Sequence, residues 1–179
     1  MAERVVDPEN DIPVDDIDDV LKTVIVSVLN EAADKMEAGE IVVPFTGLAV
    51  KENLFIETHP ADTVEECFLK ARQEVQGARG ATAYAFCYDG YLDSDDGPVD
   101  ALIAEGGLPG EGEAYAFGYL YDDSGISRDI IYVGTAPNFM EKLKLELEVE
   151  SSLDPVEQAK AEAAAKAEAE ASEEEKPEE

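Results

Sequence analysis

The sequence predicts an α+β fold: one mostly antiparallel sheet of about five to seven strands packed against two helices, with an acidic C-terminal tail that is disordered or weakly helical. Three observations predict it. Apolar residues recur at three- and four-residue steps over 15–38, and again from Val64 to Val75. From Ala81 to Gly134 the pattern switches to a period of two. The expected organisation is a flexible acidic N-terminus over 1–14, a single α+β domain over 15–149 and an Ala/Glu-rich acidic tail over 150–179.

The first helix is predicted over 15–38. Ile17, Val20, Leu21, Val24, Ile25, Val28, Leu29, Ala32 and Met36 fall on one face, Asp15 or Asp16 caps the start and Gly39 ends it. Its β-branched valines have modest helix propensity, so tertiary burial must hold it. A short strand is expected over 40–45, with Pro44 marking an edge or a bulge, and a second over 53–58. Gly47 and Lys51-Glu52-Asn53 read as turn material between them. Thr63 with Glu66 has the form of a capping box, opening a helix with Val64, Cys67, Phe68, Ala71 and Val75 on one face, which Gly77 and Gly80 close. Strand, helix, strand in that order makes one parallel crossover.

Four strands follow, at about 81–92, 98–105, 113–122 and 128–134, with loops rich in Gly, Asp and Pro that are short enough for antiparallel neighbours. Residues 142–150 alternate Leu143, Leu145, Leu147 and Val149 with charges, as an edge strand does. In the tail, Asp154 and Pro155 resemble an N-cap and first helical position, so a helix is expected over about 155–171, with disorder beyond 173.

A size asymmetry in the meander supplies the candidate binding residues. Tyr84, Phe86 and Tyr88 share one side of their strand, and Ala83, Ala85 and Cys87 the other. Tyr115, Phe117, Tyr119 and Tyr121 share one side of theirs, opposite Ala114, Ala116, Gly118 and Leu120. In matching register these rings would form one aromatic sheet face. That face is then either the core face beneath the helices or a surface for a protein partner or a second copy of the chain.

Charge narrows the partners. The 179 residues include 43 acidic and 13 basic ones, for a formal net charge of -30. Direct binding of nucleic acid is not expected, because phosphate contacts need clustered Lys and Arg, and an anionic membrane is disfavoured in the same way. Capture of a basic protein, including mimicry of nucleic acid, is the alternative function; a solubility device is the plainer reading of the charge.

The N-terminus lacks an apolar signal segment, and Val20–Leu29 is too short to span a bilayer, so the expected compartment is the cytoplasm, with Cys67 and Cys87 as thiols.

No cofactor or metal is expected. With Gly97 as the sixth residue of a calcium loop, Leu92 and Ile103 would stand at the first and twelfth ligand positions, and neither ligates. His59 is the single histidine, so a histidine pair for a metal cannot form. A small enzyme using His59 with Cys67, Cys87 or a carboxylate is the third reading. Gly106-Gly-Leu-Pro-Gly110 leads into a strand rather than a helix and offers no phosphate cradle. The leading expectation is a non-enzymatic interaction or self-association module.

Overall fold

The computed structural model describes the backbone of residues 2–5 and the full structure of residues 11–142. The strand expected over 142–150 and the tail lie outside the described residues, apart from Lys142. The fold is α+β, as predicted: two helices and a curled, mainly antiparallel sheet.

In chain order the elements are β1 (Ala2–Val5), a 3-10 turn (Val14–Asp16), α1 (Asp19–Glu37), β2 (Phe45–Val50), β3 (Asn53–Thr58), α2 (Val64–Gly77), β4 (Ala81–Ser94), β5 (Gly97–Gly107), β6 (Glu113–Asp122), β7 (Gly125–Ile126) and β8 (Ile131–Pro137). The sheet runs β3-β2-β4-β5-β6, with β8 and the short β7 both paired to β6. β1 lies parallel to β4, beyond the stretch that β2 occupies. Residues 2–5 of the N-terminal segment are thus a strand.

α1 begins later than its apolar periodicity suggests. Asp15 and Asp16 sit in the 3-10 turn, and Asp18 is the cap, its carboxylate accepting from the Val20 and Leu21 amides at 2.9 and 3.1 Å. The predicted stop is as expected: Gly39 takes φ +77°, the Gly39 amide donates to the Met36 carbonyl and the Glu40 amide to that of Lys35, which is a Schellman closure. α2 has the expected cap, with Thr63 Oγ1 accepting from the Glu66 amide at 3.2 Å. β2 is antiparallel to both β3 and β4, so β3 and β4 run parallel with β2 between them, and α2 makes the crossover.

The strand expected over 40–45 is corrected: β2 starts at Phe45, and Gly47 lies within it rather than in a turn. The reason is close packing. A Cβ on Gly47 would stand 2.6 Å from Val28 Cγ1, and one on Gly106 would stand 2.8 Å from Ile25 Cγ1. These glycines let α1 settle onto the sheet, over Ala83, Ala85, Cys87 and Ala104. The strand expected over 128–134 is likewise shifted, to Ile131–Pro137.

The shared aromatic face is also corrected. Ala85 pairs with Gly106 and Gly106 with Tyr115; Cys87 pairs with Ala104 and Ala104 with Phe117. Paired residues lie on the same face, so the β6 rings stand with the small residues of β4. The β4 rings stand with the small residues of β6: Phe86 pairs with Glu105, which pairs with Ala116. α1 lies on the first face, flanked by Phe117 and Tyr119. The second is covered by α2 and by the turn after β8. Phe68 meets Phe86 edge-on at 4.8 Å between centroids, and Phe139 stacks on Tyr84 at 5.3 Å.

Candidate interaction surface

The seven rings singled out in the sequence do not assemble into one surface. Tyr84, Phe86 and Tyr88 are buried under α2 and Phe139; Phe117 and Tyr119 are buried beside α1; Tyr115 and Tyr121 are half-buried on the α1 face. The hydroxyls of Tyr84, Tyr88, Tyr119 and Tyr121 are used internally. Tyr88 donates to Glu105 Oε1 at 2.8 Å, Tyr119 to Asn30 Oδ1 at 3.1 Å and Tyr121 to Asp89 Oδ1 at 2.6 Å. The Tyr84 hydroxyl accepts from the Phe139 amide at 2.9 Å. Burial raises the Tyr84 and Tyr121 phenols well above their ordinary value, and for Tyr121 the bond to Asp89 adds to it.

His59 and the cysteines are set deep. His59 Nε2 lies 2.9 Å from Thr46 Oγ1, and both side chains are buried. Desolvation holds the imidazole below its ordinary value against the pull of Glu57. Cys87 belongs to the core under α1, where burial pushes its thiol far up, and an inert thiol results. Cys67 is buried on α2 and borders a hollow of about 290 Å³ lined also by Val42, Pro44, Val64, Phe68 and Tyr88. Phe45 pairs with Cys87 and Thr46 with Phe86, so the Thr46–His59 contact and Cys87 lie on opposite faces of the sheet.

The open surface is elsewhere, at β3. Among the described residues this strand pairs with β2 alone, and all of its residues are exposed. Three consecutive positions are large and apolar: Leu54 is 38% exposed, Phe55 56% and Ile56 41%. Over these three positions the edge carries none of the charges and prolines that usually blunt edges; Glu57 follows them as the one charged residue of the strand.

Its backbone is presented in a defined way. Val50 and Asn53 close a two-residue hairpin, so they bond to each other, and every second residue onward bonds to β2. The His59 amide, donating to the Pro44 carbonyl at 2.8 Å, continues that series. The intervening amides of Leu54, Ile56 and Thr58 therefore point away from the sheet.

The two faces of the edge differ. Ile56 pairs with Gly47 and Leu54 with Ala49, which puts both on the α1 side. There a groove of about 350 Å³ opens between the hairpin and α1, lined by Val20, Val24, Ala49 and Leu54, with Asp19, Glu52 and Lys51 at its borders. Phe55 and Glu57 face the α2 side. Beside them stands Glu74 of α2: partial burial first, then the Glu57 charge, lifts its carboxyl above the usual range.

The sequence predicts β3 as a strand but not its exposure, because exposure follows from its place at the end of the strand order. The available signal is Pro44, which marks not an edge strand of its own but the residue before β2, one strand in from the edge.

No helix among the described residues is long and apolar enough to cross a membrane. Compared with known protein families, curated proteins and solved structures, the chain finds no significant match to any of them.

Proposed function

We propose that the chain is a non-catalytic interaction module that engages another macromolecule through the free edge of β3. The observation that carries this is the exposure of Leu54, Phe55 and Ile56 side by side on a strand that has one partner among the described residues. Strand addition at such an edge draws affinity from main-chain hydrogen bonds and specificity from alternate side chains. The Tyr and Phe residues of the meander support this role as core rather than as contact surface. The charge of -30 favours a basic partner over an acidic one.

The test is a comparison of bound partners. The wild-type chain and a Leu54→Lys/Ile56→Lys variant are used as baits in lysate of the producing cell. Ile41→Lys, at a residue 88% exposed and outside the strands, is the control. Loss of the same partners in the edge variant but not in the control supports the proposal. Identical partner sets in all three overturn it.

A further inference from the structure

We infer that the partner of this edge is an extended, amphipathic, cationic protein segment, apolar on the side facing α1 and carrying Lys or Arg on the side facing α2. The inference rests on the proposed function and goes on to specify the partner's chemistry.

Geometry sets the apolar requirement. A strand added beside β3 alternates its side chains between the two faces, as β3 does. On the α1 side its side chains meet Leu54 and Ile56 and reach the groove bordered by Val20 and Val24. Val20 is itself exposed, so this apolar wall is open to an incoming residue. On the α2 side they meet Phe55 and the exposed Glu57, with the Glu74 carboxyl of α2 near enough to feel the Glu57 charge. Neighbouring carboxylates repel, and a Lys or Arg placed against them relieves that repulsion. A cation stacked on the exposed Phe55 ring gains further. Glu52 and Asp19 add negative charge at the groove border, against Lys51.

The same charges argue against a second copy of this chain as the occupant. A net charge of -30 on each copy opposes approach, and edge-to-edge pairing would set another Glu52, Glu57 and Glu74 against the first set.

The experiment uses the full chain and synthetic octapeptides of alternating composition: lysine–valine, threonine–valine and glutamate–valine. The readout is amide hydrogen exchange with light scattering on the same samples. The expected result is that the lysine–valine peptide slows exchange at Leu54, Ile56 and Thr58, and that binding weakens about tenfold between low salt and about 0.5 M salt. Glu57→Gln/Glu74→Gln should weaken it several-fold and flatten the salt dependence. Ile56→Pro removes an outward amide and no bond to β2, so the fold should persist by circular dichroism while binding is lost.

Equal binding of the threonine or glutamate peptide at those three amides would overturn the cationic partner and leave the edge reading standing. No slowing by any peptide would overturn both. A dimer by light scattering, with these amides already slow in the unliganded chain, would show the edge occupied by a second copy and overturn the inference. Undiminished binding in Ile56→Pro would do the same.

Discussion

Gly106 and Gly47 show how single residues set the spacing between helix and sheet. A methyl group at Gly106 would meet Ile25 Cγ1 at 2.8 Å and the Tyr84 carbonyl oxygen at 2.9 Å, and the latter is backbone that cannot step aside. Gly106→Ala is expected to cost about 2–3 kcal/mol, and Gly47→Ala, which meets side chains only, about 1–2 kcal/mol in urea unfolding. Gly77→Ala, with no atom within 4 Å, should instead gain about 0.5–1 kcal/mol. Equal stability of Gly106→Ala and wild type would contradict the close seating of α1. His59 gives a pH signature of definite sign. Its folded-state value is depressed below the ordinary 6.5, so the unfolded chain takes up the proton first as pH falls. The contribution is complete above about 6.5 and is lost as pH drops below it. Melting temperatures across that window should fall more steeply for wild type than for His59→Gln, and parallel curves would remove the assignment.

At the scale of elements, the caps and the coverage of the second face are the points of leverage. Asp18→Ala should cost about 1 kcal/mol through the loss of two amide partners at the start of α1. Phe68 carries much of the apolar contact of α2, touching Phe86 and Tyr88 at centroid distances of 4.8 and 5.3 Å. Phe68→Ala should cost about 2 kcal/mol and weaken the near-ultraviolet dichroism of the buried rings while α1 remains folded. Local signals in the sequence located both helices, the Thr63 cap, the Gly39 stop and β3, because caps and periodicity act within a few residues. Register does not. Whether Tyr84 and Tyr115 share a face depends on how β4, β5 and β6 slide against each other, and a slip of one residue reverses it. Nor is a strand's rank in the sheet written locally, so the exposure of Leu54, Phe55 and Ile56 follows only from the strand order.

At the scale of the molecule, charge and topology act together. With 43 acidic residues against 13 basic ones, self-repulsion opposes the compact state. Some of it is met by clasps such as Arg128, which reaches Asp34 and Glu37 of α1 at 2.7 and 3.0 Å from the segment between β7 and β8. Added salt should therefore raise the melting temperature, by screening a repulsion more extensive than these attractions. The bare margin at β3 has a further consequence. A sticky strand is tolerated at neutral pH because molecules that carry it push one another away. Near pH 4.1, the isoelectric point, that safeguard vanishes, and the strand becomes a template for stacking into cross-β fibrils. Thioflavin fluorescence should then rise with time at that pH and stay flat at neutrality, and a proline at Ile56 should keep the acidified protein from polymerising.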